Sequence, residues 1–156
     1  MRKRSRYKPR PMLVNPVAYV LESVGPLAQH REDLTELKVK NHAAMLALTQ
    51  GQAARPEMDV LIAMSNVTEA LTRMGFGDAF TEVAKAGQQA LLAVCRRGSG
   101  AGHFALRYEE RVALNELLDL HDAQMSVITV GELDKALAMI ARERRAGRME
   151  KIRAAA

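Results

Sequence analysis

Tryptophan is absent from this 156-residue chain, aromatic residues make up 4% of it, and cysteine occurs once. So few aromatics leave Ala, Leu, Val and nine methionines to fill the interior of a chain that is 48% apolar. Side chains of that kind suit interlocking helices better than the faces of a sheet. The lone Cys95 excludes an internal disulfide and any multi-cysteine zinc site, and it fits a reducing compartment. Long hydrophobic runs are missing too. The apolar stretch from Met12 is interrupted by Asn15 and Pro16 and closed by Glu22, too short for an export signal and far too short to span a bilayer. A cytoplasmic protein without membrane contact is the expectation.

What the chain does have is charge, unevenly placed. The net charge is +5, yet residues 1–11 carry Arg2, Lys3, Arg4, Arg6, Lys8 and Arg10 with no acid. Residues 141–156 carry Arg142, Arg144, Arg145, Arg148, Lys151 and Arg153 against Glu143 and Glu150. The ends therefore hold +6 and +4, and the span between them holds −5. An acidic body with two basic ends differs physically from a uniformly basic protein, because its cations sit where a partner can reach them.

Periodicity and punctuation predict an all-α fold, a compact bundle of about six helices, with a disordered basic N-terminal arm. Residues 1–14 read as a flexible basic arm, 15–150 as a single helical domain, and 151–156 as a frayed tail. Pro9 and Pro11 keep the arm out of helical geometry. Asn15 before Pro16 starts a short helix that ends at Gly25 and Pro26. A second helix is predicted over 26–50, where Leu27, Leu34, Asn41 and Leu48 recur along one stripe. Further helices are predicted over 56–74, 78–97, 108–127 and 130–150. Thr129 with Glu132 makes a capping box for the last of them, whose Leu133, Leu137 and Ile140 should face the core. Gly98, Gly100 and Gly102 predict a flexible loop, with residues 104–106 briefly extended.

The arm is the strongest candidate for chemistry. Six cations on a flexible strand neutralise phosphates by counterion release, and Tyr7 offers a stacking face. The alternative for the arm is a solvated tail that aids solubility. Arg142, Arg144, Arg145 and Arg148 extend the nucleic-acid reading to the other end, although cations there also suit the negative end of a helix dipole. A helix-turn-helix around Gly75 and Gly77 would use Lys85, Gln88, Gln89, Arg96 and Arg97, but Asp78 and Glu82 occupy the turn that should approach DNA. A phosphate loop at 98–102 lacks the preceding strand and the Gly-Lys-Ser/Thr end.

His30, His42, His103 and His121 show no metal-ligand spacing, so neither a metal nor a cofactor is expected. His121, on an apolar helical face beside Asp122, reads as a structural histidine, and Asn41 as a register-setting polar residue within the leucine stripe. Cys95 precedes two arginines that would lower its pKa, but has no histidine nearby in sequence. No nucleophile, base and oxyanion donor assemble, so a non-enzymatic protein is expected.

The opening Met-Arg-Lys-Arg-Ser-Arg-Tyr-Lys-Pro-Arg-Pro, the segment Asn-Pro-Val-Ala-Tyr-Val at 15–20 and His-Asp-Ala-Gln-Met at 121–125 resemble small uncharacterised proteins of proteobacterial prophages and related mobile elements. The resemblance spans most of the chain and implies a setting in which a phage or plasmid meets its bacterial host. It implies no activity. Two functions follow as expectations. The first is an accessory protein, homodimeric in one arrangement, that binds nucleic acid through its basic ends, with DNA favoured over RNA. The second is a helical inhibitor or adaptor of a host protein, for which Met58, Met64, Met74, Met125 and Met139 would supply an adaptable surface.

Overall fold

A computed structural model describes residue 21 and residues 23–149. The arm, most of the predicted first helix and the C-terminal tail lie outside them. Five α-helices are present among the described residues: α1 (Arg31–Thr49), α2 (Arg55–Arg73), α3 (Thr81–Ala101), α4 (Tyr108–Val127) and α5 (Val130–Arg145). Single 3₁₀ turns, Leu27–Gln29 and Asp78–Phe80, precede α1 and α3. The described chain is all-helical with no strand, and its helix count is five rather than six.

Several boundaries differ from the expected ones for physical reasons. The helix predicted from Pro26 begins at Arg31, because the chain before it is committed elsewhere. Leu27 N–H donates to the Ile128 carbonyl (2.9 Å) and Val130 N–H donates to the Gly25 carbonyl (3.2 Å). These bonds tie the entry to α1 to the linker between α4 and α5, in a single antiparallel bridge between Pro26 and Thr129. The predicted 98–102 loop is instead the last turn of α3, which runs to Ala101. Gly98 is buried in that turn, and the ring of Phe104 lies where any side chain at Gly98 would go. Covering that surface with an aromatic offsets the roughly 1 kcal/mol that a helical glycine costs. The left-handed backbone of Gly102 (φ 75°) then ends the helix. The last helix stops at Arg145 instead of 150. Its Leu137 faces solvent, while Ala136 is fully buried.

The capping box at Thr129 is present: Glu132 N–H donates to Thr129 Oγ1 (3.2 Å), and Thr129 N–H donates to the Glu132 carboxylate (2.7 Å). Glu57 and Glu110 likewise accept from the N–H of Ala54 and Arg107, at 2.8 and 2.9 Å, before α2 and α4. Each satisfies an amide that the first turn leaves without a helical partner.

α2 is the central helix and packs against all four others. The interior divides into two apolar clusters. One joins Ala44, Met45 and Leu48 of α1 to Met58, Leu61 and Met64 of α2, to Leu91 and Val94 of α3, and to Leu114, Leu117 and Leu118 of α4. The other joins Leu27, Ala70, Leu71, Met125, Ile128 and Ala136. Each of α1, α2 and α4 passes from one cluster to the other through a buried polar residue: Asn41, Thr68 and His121. The close approach of α3 to α4 depends on Gly87, since a Cβ there would lie 2.6 Å from Leu117 Cδ2.

Candidate nucleic-acid interface

Arg2, Lys3, Arg4, Arg6, Tyr7, Lys8 and Arg10 lie outside the described residues. The other predicted cluster lies within them. Arg142, Arg144 and Arg145 occupy the last turn of α5, where their charge complements the exposed carbonyl end of the helix, and all three are at least partly exposed. Arg148 follows the turn and folds back on α5. Its Nε donates to Glu143 Oε2 at 2.6 Å, and its Nη2 reaches Glu143 Oε1 at 3.4 Å. The Arg148 bond, followed by the charges of Arg148, Arg73 and Arg142, holds the Glu143 carboxyl below its usual range against the opposing effect of desolvation. Glu143 is thus ion-paired with Arg148, and Arg73 lines the same cleft as that pair.

Glu143 stands at the edge of that cleft, which measures about 420 Å³. The cleft forms because α5 rests on α2 and leaves the facing side of α3 uncovered. Its floor is a strip of α2 that includes Ile62, Ser65, Asn66, Glu69, Ala70 and Arg73. The α3 wall carries Lys85, Gln88, Gln89 and Leu92, and the opposite wall carries Met139, Ile140, Glu143, Arg148 and Met149. Small residues at 65 and 70 keep the floor low, and the longer side chains at 62, 66, 69 and 73 recur at helical spacing along it. Glu69 accepts a 2.7 Å bond from Gln88 Nε2, and Lys85 reaches Glu82 at 2.9 Å. Arg73 has no hydrogen-bond or ion-pair partner among the described residues.

Local sequence patterns gave no sign of this cleft, nor of Arg73 as a candidate. The helix-turn-helix pattern did single out Lys85, Gln88 and Gln89, and these share the α3 wall. Arg97, a groove contact in that pattern, is committed elsewhere. Its guanidinium makes a fork with Glu110 (2.6 and 2.5 Å) and donates to the Ala105 carbonyl (3.0 Å), which fastens the α3–α4 connection to α3. That fork is the main reason the Glu110 carboxyl is held below its usual range.

The remaining polar candidates are interior. His121 is 2% exposed, and its Nδ1 lies 3.0 Å from Thr68 Oγ1. The Thr68 hydroxyl donates to the Met64 carbonyl at 3.0 Å, so it accepts from an Nδ1–H, and the Nε2 lone pair faces the interior without a partner. Burial pushes the His121 pKa down to about 4, with Asp122 opposing that shift and Lys38 adding to it. Asp122 itself turns to His42 Nε2 (3.0 Å) and towards Lys38 (3.9 Å) on α1. Burial pushes the Cys95 thiol up, and the opposing cation is Arg55 rather than either arginine that follows it in sequence. Met58, Met64 and Met125 are core residues.

Comparison of the chain with protein-family models, with curated proteins and with solved structures gave no match.

Proposed function

We propose that the protein is a non-enzymatic accessory factor of a mobile element that binds nucleic acid, DNA in preference to RNA, through its basic ends. The observation that carries this reading is the segregation of charge: +6 in residues 1–11 and +4 in residues 141–156, against −5 between them. Supporting it, Arg142, Arg144 and Arg145 stand with exposed side chains in the last turn of α5. Arginine forks match phosphate oxygens in pairs, and each neutralised phosphate releases counterions. The acidic body repels the rest of the duplex, which restricts contact to the ends.

The test is a mobility-shift titration of the full chain against duplex DNA, single-stranded DNA and RNA at two salt concentrations. A full-length variant with Arg2, Lys3, Arg4 and Arg6 replaced by Gln is run beside it. Salt-sensitive binding is expected, with a log–log slope that flattens by about 0.9 for each phosphate the variant no longer neutralises. Binding that ignores salt, or survives the variant unchanged, would remove the arm from the mechanism. The second reading, a module that binds a host protein, draws on Val39 and Leu46, which lie exposed two turns apart on α1. Stable capture of a purified host protein that is abolished in a Val39→Asp, Leu46→Asp variant would favour it.

A further inference from the structure

The cleft between α3 and α5 has the composition of a small-molecule site rather than of a simple gap between helices. At about 420 Å³ it falls in the range of pockets that take small ligands, roughly 300–1,000 Å³. Such sites combine apolar walls with a few polar groups that orient the ligand. Here Ile62, Leu92, Met139 and Met149 supply the apolar surface, and the side-chain amides of Asn66 and Gln89 supply donors and acceptors. Cations supply the third component, since Arg73, Lys85 and Arg148 all line the same cleft. The carboxylates that line it already have partners: Glu69 is bonded to Gln88, and Glu143 to Arg148.

We propose that this cleft binds a phosphate ester bearing a nucleobase-sized body, its phosphoryl group held by Arg73 and Arg148 in the place that Glu143 now fills for Arg148. In the absence of ligand, Glu143 acts as a built-in anion. It satisfies the Arg148 fork across a bidentate contact of 2.6 and 3.4 Å, while Arg73 keeps its donors unused among the described residues. A phosphoryl oxygen set offers more acceptors than one carboxylate and can serve both guanidinium groups together. The flat body of the ester then lies against the methionines, whose flexible thioethers adapt to an aromatic face. The ligand is either a free mononucleotide or the phosphorylated end of a strand. The site does not require the basic arm, so it stands or falls separately from the reading above.

Amide chemical-shift titration of the full chain locates binding as well as detecting it. The ligands are a nucleoside monophosphate, the matching nucleoside, inorganic phosphate, and a short single strand with or without a 5′-phosphate. Shifts confined to the cleft residues of α2, α3 and α5 are expected with phosphorylated ligands, and much weaker ones with the nucleoside. Arg73→Gln should weaken binding by about tenfold or more, as loss of a charge-assisted bond does. Glu143→Gln should tighten it several-fold, because the competing carboxylate is gone, and a purely structural Glu143 would not give that result. A response to the monophosphate identifies a free nucleotide as ligand, and a response to the 5′-phosphorylated strand alone identifies a strand end. No cleft shifts with either, or binding indifferent to both Arg73→Gln and Glu143→Gln, overturns the proposal. The arm-neutralised variant should keep cleft binding intact, which separates failure of this site from failure of the arm.

Discussion

His121 Nδ1 meets Thr68 Oγ1 at 3.0 Å, joining α4 to α2 at the level where the two apolar clusters divide. Gln124, one turn further along α4, places Nε2 within hydrogen-bond reach of the Phe76 carbonyl (2.8 Å), Thr72 Oγ1 (3.1 Å) and the Thr68 carbonyl (3.2 Å), and its two N–H groups are shared among these three acceptors. A polar layer of this kind sets the register of two helices that apolar packing alone would allow to slide.

The layer makes stability depend on pH in a defined direction. His121 has a folded pKa of about 4 against 6.5 for the ordinary group, so the unfolded chain binds the extra proton between those values. Its contribution is complete above pH 6.5 and is lost as pH falls towards 4. Between pH 7 and 4.5 the loss should be on the order of 2.5 kcal/mol, at about 1.36 kcal/mol per pKa unit. Urea unfolding of the wild type and a His121→Asn variant at both pH values isolates this part, and equal pH dependence in the two proteins would exclude it.

Replacing Gln124 by Met keeps the volume and removes the two N–H donors that the Phe76 carbonyl, Thr72 Oγ1 and the Thr68 carbonyl share. The Phe76 carbonyl then loses this donor at the turn after α2. A cost of about 2 kcal/mol is expected, from buried acceptors left unsatisfied. Equilibrium unfolding measures it directly, and a change below about 0.5 kcal/mol would show that the turn finds its bonds elsewhere.

Two glycines of α3 should respond oppositely to alanine. At Gly87 the added Cβ would lie 2.6 and 2.7 Å from Leu117 atoms, so helix–helix packing must open, at about 1–3 kcal/mol. At Gly100 nothing lies within 4 Å and the backbone is helical, so alanine should stabilise by about 0.4–1 kcal/mol. Thermal melting of the two variants checks both signs. Destabilisation by Gly100→Ala would mean that this segment is not the helical turn described above.

Thr129→Ala removes the hydroxyl that accepts from Glu132 N–H and should cost about 1 kcal/mol. α5 fully buries little beyond Ala136, so the effect should concentrate in that helix. Hydrogen exchange would show faster exchange in α5 with α2 and α4 little changed. Uniform acceleration across the chain would mean that α5 does not open separately.

Much of this architecture was legible from short-range patterns. The helix read over 108–127 is present with those bounds, and its Leu114, Leu117, Leu118, His121 and Met125 are buried together along one face. Thr129 and Glu132 read as a cap and form one. Asn41 read as a polar residue inside an apolar stripe, and it is 3% exposed at the boundary between the clusters. On α5, Leu133 and Ile140 pack against the second cluster as read, but Leu137 points outward and the smaller Ala136 inward. Hydrophobicity alone does not say which side of a marginally apolar helix a neighbour will cover.

The amino-acid sequence by itself determined the helical class, most helix positions and the separation of charge, because each follows from composition or from residues within about four positions of one another. Only the tertiary structure decided that Gly98 lies inside a helix, since the reason is the ring of Phe104 folded over it. It also decided which atoms His121 and Gln124 bond, on a helix some fifty residues away. The cleft that brings Arg73, Lys85 and Arg148 together belongs to the same class of fact. Its walls come from three helices, and no local pattern encodes a gap that exists only because α5 settles on α2 and leaves that side of α3 uncovered.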